Sequence, residues 1–355
     1  LQAACAFGQF TLPQVKSYPF PSELAAAPSG QRIAWVLNQE GKRNLWVAEG
    51  PGFRPRRLTS YLSDDGQELT SVMLSPDGRF VIYVRGGEHG SNWERSAPVN
   101  PASATAVAPV QIWRVPFEGG EPKLLANGDL PVISPGGDVI AYEHERAIWT
   151  VPLDGSRPGK RLFQAKGELS SPQWSPDGKR LAFVADRGSH SFIGVWSGEA
   201  NPIVWLAPST NHDASPRWSP DGSRIAFTRR AGSGGAPRPI LEPRAVAWSI
   251  WSADADTGVA LRLWQSGAAL RDSPPSTHGG TNLHWAKGRI VFLSYADGWP
   301  HLYSIPESGG AAVLHERVDA KARQPRQIER KVALEVLVEH LALTVVHDEI
   351  GRAHV

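Results

Sequence analysis

The chain has 355 residues, with 37 Lys and Arg against 35 Asp and Glu, a formal charge of +2 at pH 7. Its basic runs are pairs such as Arg56-Arg57 and Arg229-Arg230, so nothing in the charge pattern favours nucleic-acid binding. No run of about 18 apolar residues offers a membrane span, and the single cysteine, Cys5, rules out an internal disulfide framework.

From the start, Leu1 to Gly8 is small and apolar and reads as the tail of a signal peptide. That points to a periplasmic or secreted protein; an ordinary terminus on a cytoplasmic protein is the alternative. Phe10 to Leu24 carries Pro13, Pro19 and Pro21, so residues 1–24 are expected to form an extended lead-in.

From residue 25 the chain repeats itself. The clearest copy is Trp218-Ser219-Pro220-Asp221-Gly222, followed by Ser223-Arg224-Ile225-Ala226-Phe227. Pro220 presets φ for a tight turn, Asp221 can bond the turn backbone, and Gly222 accepts positive φ. The strand after it alternates, with Arg224 and Ala226 expected outward and Ile225 and Phe227 inward, as for a half-buried strand.

In chain order the copies begin at Ala27, Leu74, Ile133, Trp174, Trp218 and His284. The copy at Ile133 has Gly136 where the others have Asp, and the last keeps Trp285 and Gly288 but lacks Pro. Their glycines are Gly30, Gly78, Gly137, Gly178, Gly222 and Gly288. Without insertions the period is about 40–50 residues, that of a four-stranded propeller blade. A second strand follows each copy: Asn44–Ala48, Gln111–Val115, Ala147–Val151, Ile193–Trp196, Ser249–Ala253 and His301–Ile305. A third follows a polar turn, as at Arg57–Thr59 and Lys123–Leu125.

Such meanders bury both faces only by stacking on neighbours. The recurrent Trp and Tyr are therefore read as filling between blades. The fold expected is all-β: a propeller of four-stranded antiparallel blades over residues 25–315. Six blades are recognisable, of seven or eight in the intact protein, and the ring is incomplete at the C-terminus.

Two insertions interrupt the repeat. Ser63–Thr70 first supplies an acidic segment that lacks the spacing of a calcium loop and is therefore read as a solvated connection. Then Val84 to Gln111 holds Arg85, Gly86, Gly87, Glu88, His89, Asn92, Trp93 and Arg95 before a Pro/Ala/Ser-rich tail. Flexible glycines, charges of both signs, a His and a Trp make this the candidate recognition loop. Its substrate-binding candidates are Arg85, Glu88, His89, Asn92, Trp93 and Arg95. The second insertion, Arg229 to Ala247, is Gly/Pro/Arg-rich and carries no recognisable chemistry. Asp297-Gly298 marks a turn between two strands.

After residue 315 the pattern breaks. Residues 316–349 read as a disturbed last blade. Ile350 to Val355 reads as the one-frame translation of a common sequencing adapter, so the chain is taken as a gene fragment.

No catalytic centre is visible. Gly194-Val195-Trp196-Ser197-Gly198 is not a nucleophile elbow. Glu143-His144-Glu145-Arg146 lacks the second His of a zinc protease, and Gly232-Ser233-Gly234-Gly235 lacks the Lys of a phosphate loop. No catalytic residue, metal ligand or cofactor is expected.

Three segments together look like the propeller of bacterial prolyl-oligopeptidase-family serine peptidases, of the dipeptidyl-peptidase and acylaminoacyl-peptidase kind. They are Val84–Trp93, Ala185–Val195 and Asp297–Tyr303. The resemblance covers about residues 10–315. It implies a propeller above an α/β-hydrolase domain of the same chain, whose Ser, His and Asp cleave short peptides while folded proteins are kept out. None of those three residues is in this chain, so the expected role is substrate gating in a non-catalytic fragment. The resemblance also implies an Arg near the substrate carbonyl, which makes Arg85 or Arg95 the candidate. The family's paired glutamates have no match; the segment before Trp174 offers only Glu168. The alternatives are a stand-alone TolB-like periplasmic propeller that binds a protein partner, and a propeller fused to a metal-dependent amidohydrolase.

Overall fold

The computed structural model describes residues 11, 19–28, 30–89, 105–234, 244–275 and 281–315. They form 24 strands and one short 3-10 turn, Leu270–Asp272. Blade 1 is β1 (Phe20–Ala26), β2 (Arg32–Gln39), β3 (Lys42–Glu49) and β4 (Arg56–Arg57). Blade 2 is β5 (Leu69–Leu74), β6 (Phe80–Arg85), β7 (Gln111–Pro116) and β8 (Lys123–Asn127). Blade 3 is β9 (Asp129–Ile133), β10 (Val139–His144), β11 (Ala147–Pro152) and β12 (Lys160–Arg161). Blade 4 is β13 (Glu168–Trp174), β14 (Leu181–Asp186), β15 (Ser191–Trp196) and β16 (Val204–Trp205). Blade 5 is β17 (His212–Trp218), β18 (Arg224–Arg230), β19 (Trp248–Asp254) and β20 (Ala260–Gln265). Blade 6 is β21 (His284–Ala286), β22 (Arg289–Ser294), β23 (His301–Pro306) and β24 (Val313–Leu314).

The fold is an all-β propeller of four-stranded antiparallel blades. Blades 4 and 5 also share one parallel pairing, Ser191 with His212. The chain divides into two compact units, one from residues 1–131 and 151–159 and the other from the remainder. Among the described residues no helix is long and apolar enough to cross a membrane.

The turn motif builds a closed polar cap. Ser219 Oγ accepts the Arg224 N–H at 2.9 Å and donates to Asp221 Oδ1 at 2.6 Å, while Asp221 Oδ1 accepts the Ser223 N–H at 3.0 Å. Ser75 with Asp77 and Ser175 with Asp177 repeat the arrangement. These bonds hold the Asp77 and Asp221 carboxyls down at about 2. Gly222 has φ +71, a region that L side chains rarely adopt. In the third copy Asp138 replaces the missing Asp: Ser134 Oγ donates to it at 2.7 Å and accepts the Val139 N–H.

The motif also ties neighbouring blades together. Trp218 Nε1 donates to Gln173 O of blade 4 at 2.9 Å, and Trp174 Nε1 donates to Val132 O of blade 3 at 3.3 Å. Arg180, just before β14, donates to Gly222 O in the next turn and lies over the Trp218 ring at 5.0 Å. Arg32 makes the same bond to Gly78 O in the first unit. Trp174 and Trp218 thus fill the space between blades and also hydrogen-bond across it.

The half-buried reading of the strand after the turn is corrected. Ile225 and Phe227 pack against Val184, Val195 and Leu206 of blade 4. Ala226, expected outward, packs with Trp248 and Ile250 against Ile290 and Phe292 of blade 6. A blade between two neighbours has no wet face. Burying a side chain such as Phe227 is worth about 1.5–3 kcal/mol, so both phases of the alternation contribute. The first unit has its own core, which includes Val36, Val47, Leu69, Val81, Tyr83 and Phe117.

The strand before each turn has no matching expectation. Its register shifts at Ser22/Ala25, Thr70/Met73, Ser170/Gln173 and Ala214/Arg217. A left-handed residue sits at each bulge: Glu23, Ser71, Ser171 and Ser215. Leu130 and Asn282 take the same conformation at the corresponding places in blades 3 and 6. In blade 1 this strand starts at Phe20, inside the segment expected as a lead-in. Residues 316–355 lie outside the described residues.

Candidate functional site

The candidate loop leaves β6 at Arg85 and returns to β7 at Gln111. Its two stems meet at Gly86, whose N–H donates to Glu68 O at 3.0 Å. Gly86 has φ +103, and a Cβ there would lie 2.9 Å from Pro109 O. Only glycine lets the outgoing and returning chains pass this closely.

His89 closes the stem. Its ring Nδ1 meets Glu68 Oε2 at 2.9 Å and its Nε2 meets Asp129 Oδ2 at 2.9 Å. Its backbone N–H also donates to Glu68 Oε2, at 2.8 Å. The His89 side chain is 11% exposed and Asp129 is buried. Glu68 immediately precedes the first strand of blade 2 and Asp129 opens that of blade 3, so one imidazole joins three chain segments. Burial alone lowers the His89 pKa. The bonds to Asp129 and Glu68 more than reverse this and raise it to about 9. Burial likewise pushes the Glu68 carboxyl up, and its bonds to His89 bring it below its ordinary value.

At neutral pH the ring is therefore an imidazolium that donates from both nitrogens. It has no lone pair left for a base or a metal ligand. Its chemical role here is to fix the root of the loop.

Arg85 is also engaged. Its guanidinium pairs with the Asp65 carboxylate and lies 4.5 Å over the Tyr61 ring, and Tyr61 Oη meets Tyr83 Oη at 2.7 Å. Burial pushes both phenols up. The acidic segment before β5, expected as a solvated connection, is thus tied down: Asp65 holds Arg85, and Asp64 lies 3.7 Å from Arg43. Glu88 is half-buried beside His89. Asn92, Trp93 and Arg95 lie outside the described residues. Among the described residues no group of three or more His, Cys, Asp or Glu is placed to hold a metal.

Arg229 of blade 5 stands at the same position as Arg85, equally far beyond the turn serines Ser219 and Ser75. It makes a bidentate pair with Asp213, Nε to Oδ1 at 2.6 Å and Nη2 to Oδ2 at 2.8 Å. It also donates to Ala207 O and lies 4.6 Å over Trp251. Burial pushes the Asp213 carboxyl up, and the guanidinium holds it back.

In the sequence Asp65 and Glu68 stand only as part of an acidic connection and Asp129 belongs to no motif, because the partners of all three are far off in the chain. The one usable cue is that Glu68 and Asp129 follow turn residues, Gly66 and Gly128, at strand starts. The three segments that carry the family resemblance share a topological place. They fall at β6–β7, β14–β15 and β22–β23, each a connection from the second to the third strand of its blade. There Arg187 lies 4.7 Å over Phe192, His301 Nδ1 meets Asp297 Oδ2 at 2.5 Å, and Trp299 is 72% exposed.

No family model matches the chain. An uncharacterised protein of Agrobacterium fabrum is 27% identical over 183 residues, 41% of this chain and 62% of that protein's length. Among solved structures, a prolyl endopeptidase aligns with a TM-score of 0.59 at 12% identity, over 85% of this chain and 43% of that one. A puromycin-hydrolysing peptidase of Mycobacterium tuberculosis gives 0.56 at 16% identity, over 87% and 46%. An oligogalacturonate lyase of Vibrio parahaemolyticus gives 0.52 at 16% identity, over 78% and 76%. These likenesses agree on the propeller fold. The chain spans less than half the length of the two peptidases.

Proposed function

We propose that this chain is the substrate-gating propeller of a serine-type oligopeptidase, with the hydrolase domain elsewhere in the intact protein. The observation that carries the reading is the shared place of the three resemblance-bearing segments. All are second-to-third-strand connections, in blades 2, 4 and 6. Loops on a rigid scaffold are where binding residues concentrate. In blade 2 the Glu68–His89–Asp129 clamp gives the long insertion a fixed root, so that it can present side chains to a peptide in a defined position. The solved peptidases it resembles support the reading at the level of fold. The lyase shows that this fold also serves other chemistry, so the loops carry the argument and the fold does not.

The test is to express the gene with its natural downstream sequence. The product is expected to hydrolyse short peptides, to leave folded proteins intact, and to be labelled at one serine by a fluorophosphonate. A product with neither labelling nor peptide hydrolysis overturns the proposal.

A further inference from the structure

A cleft of about 320 Å3 opens between blades 1 and 2. It lies at the end of β7 opposite the insertion: Gln111 meets the insertion, while Phe117 and Glu118 follow Pro116. Val47, Ala48 and Glu49 of β3 form one wall, and Gly52 and Arg54 of the β3–β4 turn with Arg56 of β4 form the rim. Phe117 also borders the cleft, though it is only 2% exposed.

The lining carries two arginines and two glutamates, and the glutamates are already engaged. Glu49 and Glu118 are both held by Arg32, whose Nε and Nη2 reach them at 2.8 Å each while the guanidinium lies 4.4 Å over the Phe117 ring. Arg56 donates to Phe117 O at 2.5 Å and has no carboxylate partner among the described residues. Arg54 has neither a hydrogen bond nor an ion pair among them. With Arg32, which is not part of the lining, holding both carboxylates, Arg54 and Arg56 are left at the rim without a carboxylate partner among the described residues. Arginine is the side chain best shaped to take a carboxylate in a fork. The volume is at the small end of ligand pockets, which run from about 300 to 1,000 Å3. A Cβ added at Gly52 would meet nothing within 4 Å, so the mouth is open.

We propose that this cleft binds one carboxylate on a short apolar stem, as on a peptide C-terminus, an acidic side chain or a free acid of amino-acid size. Arg54 and Arg56 grip the carboxylate, and the stem lies between the β3 wall and the β3–β4 turn. The site is separate from the loop face of the proposed function and does not depend on it.

Isothermal titration of the chain tests this with three probes: N-acetyl-leucine, its amide, and N-acetyl-glutamate with its main-chain carboxyl amidated. Saturable binding of a carboxylate probe is expected, with the leucine amide about tenfold weaker or worse, the usual worth of a lost charged hydrogen bond. Tighter binding of the leucine acid identifies a chain terminus or free acid as the natural partner, and tighter binding of the glutamate probe identifies an acidic side chain. Arg54→Ala and Arg56→Ala should each weaken binding about fivefold or more. Gly52→Phe, which fills the open mouth, should abolish it without moving the thermal midpoint. The exposed Arg262→Ala, on the outer strand of blade 5, serves as control and should change nothing. Equal binding of acid and amide, wild-type affinity in both arginine variants, or no saturable binding of either acid overturns the proposal.

Discussion

Arg85 and Arg229 occupy the same position in blades 2 and 5, and each lies over an aromatic ring, yet their surroundings differ. Asp213 stands directly opposite Arg229 in the strand register, so the pair forms inside the blade and is buried, 8% and 0% exposed. Leu69 stands opposite Arg85, so Arg85 reaches out of the register to Asp65 on the preceding connection. That pair is 25% and 37% exposed. One position thus holds a core ion pair in one blade and a tether for a loop in the other. What decides is the residue opposite and how much water reaches it.

This contrast sets the order of expected effects. Arg229→Ala leaves Asp213 buried without its partner and should cost about 3–5 kcal/mol in urea unfolding. Replacing both, as Arg229→Met with Asp213→Leu, should recover most of the loss, because desolvation offsets much of what the pair gains. A small loss in the single variant would erase the distinction between the two blades.

The His89 clamp should come second, with a pH signature that Arg229 lacks. Its folded pKa, about 9, is above the ordinary value of 6.5. Its contribution is therefore complete below pH 6.5 and is lost as the pH rises toward 9. Glu68 has the opposite sign: its pKa is lowered, so its contribution is present above 4.5 and is lost on acidification. Because the site is partly open to water, about 1–2 kcal/mol is expected at the optimum. His89→Gln should flatten the stability profile between pH 6.5 and 9, whereas Arg229→Ala should leave that slope in place. An unchanged slope in His89→Gln would remove the clamp.

The same contrast shows what the sequence can express. The turns and the strands after them are legible because Pro, Asp and Gly have fixed backbone roles and the apolar residues alternate over a full strand. The strand before the turn is not, because a bulge at Ser71, Ser171 or Ser215 breaks the period of two and Pro172 or Pro216 interrupts the run. Asp138 could be found only by asking which other carboxylate reaches Ser134. For the site, His89 and Arg85 stood out by their types, but their partners are set by register and by contacts between segments distant in the chain. Such contacts leave no spacing to read. The blade period therefore establishes the propeller, while the roles of its charged residues need coordinates.

The smallest effect separates two roles for Arg85. As a partly exposed ion pair with a ring contact, its loss in Arg85→Ala should cost about 0.5–1 kcal/mol of stability. If Arg85 only tethers the loop, and the intact protein is the peptidase proposed above, Asp65→Asn in that protein should raise KM as much as Arg85→Ala does, because either change frees the stem. If its guanidinium also meets the peptide carbonyl, Arg85→Ala should raise KM further, since Asp65→Asn leaves that guanidinium in place. The exposure of the pair favours the second outcome: a quarter of the Arg85 side chain stays open to an incoming ligand. The buried Arg229 has no such freedom. Equal KM values in the two variants would make Arg85 a structural residue like Arg229 and leave recognition to the rest of the loop.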